Sequence, residues 1–156
     1  MGDALAVALL QRRGFTNMDF KSFHPGGKLG SGLMILNDIM HKGDKLPLCE
    51  GSILMSEALM IMTGKGFGCL GVTNSQGDLT GIITDGDLRR HMGTDLLDKT
   101  AADIMTENPK TVADTMLAAE ALAVMNDNKI QSLFICEASK PIGFVHLHDL
   151  LRAGVG

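Results

Sequence analysis

The chain has no tryptophan and no tyrosine, and only six of its 156 residues are phenylalanine. It therefore lacks the large aromatic side chains on which bases commonly stack, and a bound base would have to lie between aliphatic side chains and backbone. No stretch approaches the roughly 18 apolar residues of a transmembrane helix, and the first residues lack the pattern of a secretory signal. We therefore expect a cytoplasmic protein that does not enter a membrane.

Basic runs and paired cysteines are also missing. The net charge is −4, and no cluster of lysine and arginine is present, which argues against a nucleic-acid partner because such binding uses many phosphate contacts. The three cysteines, Cys49, Cys69 and Cys136, are odd in number and show no metal-ligand spacing. They are typical of unpaired thiols in a reducing compartment.

Three blocks of sequence occur twice in the same order. Residues 38–40 (DIM) return at 103–105, residues 57–59 (EAL) at 120–122, and residues 81–90 (GIITDGDLRR) at 143–152 (GFVHLHDLLR). The offsets are 65, 63 and 62 residues, so small deletions fall between the blocks, where loops tolerate them. This pattern indicates duplication of one unit. It predicts a closed pair about a pseudo-twofold axis, with equivalent clefts.

Each copy predicts the same elements. Apolar residues at helical spacing are followed by two short apolar runs around a turn, and the second run continues into another helix. The first copy has its elements at 46–49, 56–63, 69–73, 79–84 and from 85 onward; the second has them at 110–112, 116–126, 133–137, 142–146 and 148–152. The predicted fold is α/β (α+β), with two βαββα repeats.

The residues before the repeats follow a different pattern. Residues 4–10 are helix-prone and apolar nearly all round, which predicts a helix buried against other protein. We infer that the chain is the C-terminal piece of a longer protein, or that this helix packs on another subunit. A glycine-rich loop that contains His24 follows at residues 23–30. From the residues alone, this loop is interpreted as a flexible connector.

The chemistry of the first copy concentrates where its last strand meets its last helix. Thr84 stands at the start of that helix, where backbone N–H groups and a hydroxyl favour a phosphate, and Asp87 is placed to accept the hydroxyls of a ribose. The same spacing is that of a capping box, in which Thr84 and Asp87 only terminate the helix. Both interpretations stay open on this copy.

The second copy keeps the acid but not the threonine. Asp149 corresponds to Asp87, and His146 replaces Thr84, so we expect the reciprocal cap to be broken while the carboxylate stays. Capping alone does not require this, which favours a ligand-binding role for Thr84, Asp87, His146 and Asp149. His146 and His148 alternate as a metal pair would, but no third ligand is identifiable, so no metal site is predicted.

The doubled βαββα unit, with its hydrophobic-x-Thr-x-x-Asp ending, resembles a pair of CBS domains over about residues 37–153. Narrower strings are similar to the C-terminal half of bacterial D-arabinose-5-phosphate isomerases, which join a sugar-isomerase (SIS) domain to a CBS pair. The strings lie at 2–10 (GDALAVALL), 23–30 (FHPGGKLG), 38–47 (DIMHKGDKLP), 81–90 (GIITDGDLRR) and 146–155 (HLHDLLRAGV). The resemblance implies an SIS remnant and linker at 1–36, one CBS repeat at 37–99 and another at 100–156.

The resemblance also implies a function. In that family the SIS domain interconverts D-ribulose 5-phosphate and D-arabinose 5-phosphate for Kdo synthesis, which supplies lipopolysaccharide or capsule. His24 matches a histidine thought to serve as a catalytic group, although this chain alone is expected to be inactive because the rest of the pocket is missing. The CBS pair would sense AMP, ATP or CMP-Kdo, with no required cofactor. The alternative is a structural module that joins subunits without a ligand. The implied partners are the SIS domain and further copies in a homodimer or homotetramer.

Overall fold

Each copy of the repeat folds as a strand, a helix, a β-hairpin and a second helix in the computed structural model, which describes residues 33–155. The first copy comprises β1 (Leu48–Glu50), α1 (Met55–Lys65), β2 (Cys69–Thr73), β3 (Leu79–Thr84) and α2 (Asp85–Arg90). A connection with α3 (Ala101–Ile104) and β4 (Thr106–Glu107) leads to the second copy. The second copy comprises β5 (Thr111–Val112), α4 (Ala118–Asn128), β6 (Ser132–Glu137), β7 (Lys140–His146) and α5 (Leu147–Arg152). The predicted βαββα order is confirmed in both copies.

The two long helices bury equivalent residues. Helix α1 buries Met55, Ala58 and Met62, and α4 buries their counterparts at 118, 121 and 125, spaced so that they share one face. Both helices end at a residue in the left-handed conformation, Gly66 in α1 and Lys129 in α4. Glycine adopts this conformation without steric cost, whereas lysine does so less readily.

Each copy forms its own small sheet. The strand order is β1-β2-β3-β4 in the first sheet and β5-β6-β7 in the second. In both sheets the first pair is parallel and the hairpin pair is antiparallel. All five residues of β2 are buried, and hydrophobic residues of β2, β6 and β7 meet in a shared cluster that includes Cys69, Phe134 and Phe144. The two sheets therefore share a core between the copies.

The segments that precede the copies are exchanged between them. Residues 33–41, the leading segment, pack into the second copy, where Met34 and Leu36 join the core around α4. Residues 96–107, the connecting segment, pack into the first copy, where Leu96 and Ile104 join the core around α1. Strand β4 of the connecting segment also extends the first sheet. Each core is thus completed by residues that lie outside its own βαββα unit.

The exchange explains why the sequence DIM occurs twice. Met40 of the leading segment lies against Gly143 in β7, and Met105 of the connecting segment lies against Gly81 in β3. A β-carbon at either glycine would overlap the facing methionine side chain, so each glycine provides the space that its methionine fills. The repeated glycine and the repeated methionine are therefore one packing device used twice.

Reciprocal contacts define the relation between the copies. Ile35 bridges Leu117, and their counterparts Thr100 and Leu54 bridge each other. Such pairs, in which each copy makes the equivalent contact to the other, are those of a twofold arrangement.

The predicted mixed α/β fold with two repeats is confirmed. The predicted helix at 4–10 and His24 lie outside the described residues. No helix within residues 33–155 is long and apolar enough to cross a membrane.

Candidate functional site

A cleft of about 450 Å³ opens between the two copies, beside the junctions of β3 with α2 and of β7 with α5. Its floor includes Cys69 and Ser132, which occupy equivalent positions and lie 3.6 Å apart from Sγ to Oγ. Burial raises the pKa of the Cys69 thiol to about 11, so this sulfur is a neutral surface at physiological pH. The cleft is therefore shared by both copies, and equivalent positions of the two copies meet at its floor.

Phenylalanine rings also line the cleft. Phe67 and Phe134 are both among the lining residues, and the counterpart of Phe67 in the second copy is Ile130, which lines it as well. The cleft thus offers an aromatic surface that the expectation of aliphatic side chains and backbone alone left out. Counting tryptophan and tyrosine missed it, because phenylalanine also offers a face for stacking.

The predicted site residues divide into two pairs. Thr84 and His146, which are counterparts, both line the cleft. Asp87 and Asp149 do not line it; each receives hydrogen bonds from the residue three positions before it. The structure thus brings all four together around one cleft, with the hydroxyl and imidazole in front and the carboxylates behind.

Asp87 is held entirely by groups of the protein. Its Oδ2 accepts hydrogen bonds from the Thr84 N–H at 2.9 Å and the Thr84 hydroxyl at 3.1 Å. Its Oδ1 accepts from the Thr106 hydroxyl at 2.5 Å and from Arg90. Although burial alone would raise the pKa of Asp87, the bonds from Thr106 and Thr84 hold it below its ordinary value. With 2% of its surface exposed, this carboxylate serves the helix cap.

Asp149 is held by the same geometry with different donors. Its Oδ2 accepts from the His146 N–H at 2.8 Å and from His41 Nε2 at 3.0 Å, and its Oδ1 accepts from Arg152 at 2.7 Å. Desolvation opposes ionisation here too, but the bonds from His146 and the neighbouring His41 keep the pKa of Asp149 below its ordinary value. Histidines therefore stand where the first copy has Thr84 and Thr106.

The expectation that His146 breaks the second cap was wrong. His146 Nδ1 accepts a hydrogen bond from the His148 N–H at 3.1 Å, so its ring caps α5. The ring also stacks on that of His148, with centroids 4.9 Å apart. Burial first, and then the neighbouring His148, lower the pKa of His146, which agrees with a ring nitrogen used as an acceptor. A cap of this kind requires the neutral imidazole.

The same histidines do not form a metal centre in the described part of the chain. Within residues 33–155 no group of three or more histidine, cysteine, aspartate or glutamate side chains is arranged to hold a metal ion. His41 and His146 instead direct ring nitrogens to Asp149 and to a backbone N–H. These contacts give both rings a hydrogen-bonding role.

The charges of the cleft were missed by sequence reasoning. Among residues 33–155, Arg89, Lys110 and Lys129 line it together with a single carboxylate, Asp85. The three cations come from α2, from the residue before β5 and from the end of α4, so they are far apart in the sequence. A signal was available, because the aligned repeats place Leu151, Pro47 and Gly66 at the equivalent positions. The cations therefore have no charged counterparts at the equivalent positions, and their excess over Asp85 suits the cleft to an anion.

Comparisons with known proteins agree with this fold. The CBS domain family matches residues 36–94 and 101–156. The chain is 49% identical to arabinose 5-phosphate isomerase KdsD of Pseudomonas aeruginosa and 45% identical to KdsD of Escherichia coli K12, over 99% of its length in both cases. These alignments cover 49% and 48% of the two relatives, so the chain spans about half the length of the curated relatives it matches.

Solved structures give the same result. The crystal structure of CBSX2 in complex with AMP matches 78% of this chain and 96% of its own, with a TM-score of 0.67 and 23% sequence identity. At this identity the likeness concerns the fold. Together with the matches to both repeats, it shows that the chain belongs to the CBS domain family and carries two CBS domains in tandem.

Proposed function

We propose that this CBS pair is the sensor module of an arabinose 5-phosphate isomerase and binds an anionic nucleotide or nucleotide sugar in the cleft between its copies. AMP, ATP and CMP-Kdo are the candidate ligands. Binding would adjust the isomerase that the rest of the protein provides. The similarity to the KdsD proteins over 99% of the chain supports the association with the isomerase.

The charge of the cleft carries the proposal for the ligand. Of the residues that the structure describes, Arg89, Lys110 and Lys129 line the cleft together with one carboxylate, Asp85, in a space of about 450 Å³. That volume lies within the range of small-molecule sites, which are about 300–1,000 Å³. Because the whole chain has a net charge of −4, a local excess of cations is not explained by overall composition. A phosphate-bearing ligand complements it.

The lining residues suggest distinct roles. Thr84 and His146 would contact the ligand directly, and Asp87 and Asp149 would hold these two residues in place from behind. Phe67 and Ile130, on equivalent positions of the two copies, offer apolar surfaces for a base. This arrangement refines the expectation that the carboxylates themselves bind ribose.

A ligand screen with charge variants tests the proposal. Isothermal titration with AMP, ATP, CMP and CMP-Kdo should reveal at least one ligand. Arg89→Gln and Lys110→Gln should each weaken it about tenfold, as expected for loss of one charge-assisted hydrogen bond. Lys99→Gln is the matched control, since Lys99 forms a surface pair with Asp95 at 3.7 Å. Absence of binding by all four compounds, or equal affinity in all variants, would contradict the proposal.

The isomerase reaction itself is proposed for the longer protein. Aldose–ketose isomerisation needs a base, a proton-transfer group and a phosphate anchor in one pocket. By resemblance, His24 supplies one of these groups to the SIS domain, and the present chain is inactive on its own. The purified chain should show no turnover of arabinose 5-phosphate above that of a His24→Ala variant, and measurable turnover would refute this.

One observation favours the alternative function in subunit assembly. Leu54 and Met60, at the start and in the middle of α1, are 46% and 75% exposed, and Leu97 beside α1 is 52% exposed. If these three side chains form one exposed apolar patch, it would suit an interface between subunits. Light scattering at micromolar concentration should then show a dimer or tetramer that Met60→Lys shifts toward the monomer. A monomer at all concentrations would exclude this alternative for the isolated chain.

A further inference from the structure

His41 connects the leading segment to the cleft through two contacts. Its Nε2 lies 3.0 Å from Oδ2 of Asp149, the oxygen that also accepts the N–H of the cleft-lining His146. Its ring also lies against Phe67, a second lining residue, with centroids 4.8 Å apart. A change at His41 therefore reaches the cleft through Asp149 and through Phe67.

The first copy has a residue that does not titrate at the position equivalent to His41. Thr106, the counterpart of His41, donates to Asp87 at 2.5 Å. A threonine hydroxyl keeps the same charge at all physiological pH values, whereas an imidazole gains a proton between about pH 8 and 5. Neutral and protonated imidazoles both donate, but the charged donor forms the stronger bond to a carboxylate. The second copy thus has an imidazole where the first copy has a hydroxyl, in equivalent bonds to equivalent carboxylates.

We propose that His41 is a positioning residue for the cleft: it holds His146 through Asp149 and makes the affinity for an anionic ligand depend on pH. The ligand part rests on the proposed function, while the link from His41 through Asp149 to His146 is testable without a ligand. As pH falls, a protonated His41 tightens its hold on Asp149, and a protonated His146 adds positive charge to the cleft. Anion affinity is therefore higher at the lower pH.

The surrounding charges act in both directions. Burial and His148 lower the pKa of His146, the charge of Asp149 raises it, and Arg152 lowers it. The titratable and charged groups around the two rings are His148, Asp149 and Arg152 on α5, and Asp85, Arg89, Lys110 and Lys129 around the cleft. Protonation of His146 also removes the acceptor of the His148 N–H, so the proton and the cap compete for Nδ1.

Two substitutions separate a structural role from a proton-linked one. His41→Ala removes the donor. His41→Thr installs the residue that performs the equivalent task at position 106 and keeps a hydroxyl without a titratable group. Because Thr106 already supports the same geometry in the first copy, His41→Thr is expected to fold. His91→Thr, which removes a histidine after α2, is the matched control.

The first measurement uses NMR of the imidazole signals in the ligand-free chain from pH 5 to 8. We expect the titration of His146 to shift in both His41 variants and to stay unchanged in His91→Thr. A His146 titration that is the same in all proteins would overturn the proposal, whether or not any ligand binds. Circular dichroism of each variant establishes that it is folded.

The second measurement is the Kd for AMP, with inorganic phosphate as a second probe, at pH 6 and pH 8. Relative to the unmodified chain, His41→Ala should weaken binding about fivefold to tenfold at pH 6, in the range of couplings transmitted through one intermediate residue. His41→Thr should restore affinity at pH 8 but not at pH 6. The ligand's own proton uptake is common to all proteins and cancels in these ratios.

The two measurements distinguish the two proposals. If neither AMP nor phosphate binds the unmodified chain while His146 still responds to His41, the proposed ligand is wrong and the positioning contact is supported. If AMP binds and its affinity has the same pH dependence in His41→Thr as in the unmodified chain, the cleft binds nucleotide and the role of His41 in affinity is overturned.

Discussion

The two copies hold equivalent carboxylates with different donors. Thr84 and Thr106 hold Asp87 in the first copy, whereas His146 and His41 hold Asp149 in the second. The geometry is the same, because each acid accepts the N–H three residues before it and a donor from the exchanged segment. The same cap geometry therefore uses an aspartate in both copies, whereas the residues that donate hydrogen bonds to it can differ. In the second copy, an imidazole side chain takes the place of each of the two threonine side chains.

The charged residues of the cleft also differ from the residues at the equivalent positions of the repeat. Arg89 of the first copy lines the cleft with Lys110, which precedes β5, and Lys129, which follows α4. The equivalent positions are Leu151, Pro47 and Gly66. A symmetric fold therefore supports one cationic half-site and one apolar counterpart. Specific binding of one anion, rather than two, is the expected result.

Of the substitutions considered, removal of the Phe134 ring should have the largest effect on the free energy of unfolding. Phe134, 1% exposed, is the counterpart of Gly71, where an added β-carbon would lie 2.6 Å from its ring. Phe134→Ala should lower the free energy of unfolding by about 3–5 kcal/mol through the cavity it leaves. Urea denaturation of Gly71→Ala, Phe134→Ala and the double variant measures their coupling. A strictly additive result would show that the two positions do not pack on each other.

Substitution of the two carboxylates compares the caps directly. Asp87→Ala should cost about 2–3 kcal/mol of unfolding free energy, because it leaves several buried donors without an acceptor. Asp149→Ala should cost about 1–2 kcal/mol, since the Asp149 side chain is 9% exposed against 3% for Asp87. Chemical denaturation of both variants, with AMP titration of each, checks the order. A larger loss for Asp149→Ala would reverse the comparison.

The pH dependence of stability should distinguish the copies. A histidine whose pKa is lowered by folding binds fewer protons in the folded state than in the unfolded state. The contribution of His146 to the free energy of unfolding is therefore complete above pH 6.5 and is lost as the pH falls. Because His146 is partly exposed, the loss between pH 7 and 5 should stay below about 1 kcal/mol. His146→Thr, which copies position 84, should remove this slope. The lowered pKa values of Asp87 and Asp149 act only in stronger acid, where both copies lose stability.

Making the floor of the cleft symmetric should have the smallest effect. Cys69 and Ser132 are counterparts, and Cys69→Ser would give both copies a serine. The change keeps the side-chain size and a donor, so the free energy of unfolding should change by no more than about 1 kcal/mol. Thermal denaturation measures it, with Ser132→Cys as the opposite exchange. A large loss of unfolding free energy in only one of the two variants would show that positions 69 and 132 have different surroundings.

Local patterns predicted the elements but not the exchange of segments. The spacing of Met55, Ala58 and Met62 is a property of one helix, so the sequence displays it directly. The repeated DIM was recognised as a marker of duplication. Its packing partner is a glycine of the other copy, as for Met40 and Gly143, and nothing in the local pattern indicates which strand it meets.

The candidate site was predicted in part for similar reasons. Thr84 and His146 were named from their position before a helix, and both line the cleft. The cap by His146 was missed because histidine is not among the usual capping residues, although a neutral ring nitrogen accepts a hydrogen bond. Lys110 and Lys129 were missed because they meet only after the two copies pack together.

The exchanged segments impose an order on folding during synthesis. His41 and Asp149 are 108 residues apart, so at about 5–20 residues per second the ribosome needs roughly 5 to 20 seconds to provide the partner. The first copy obtains its connecting segment once residue 107 has emerged, and its core can then close. The leading segment stays without its core until α5 is made. The cleft, which needs His146 from the last strand, cannot be complete before that strand has been made.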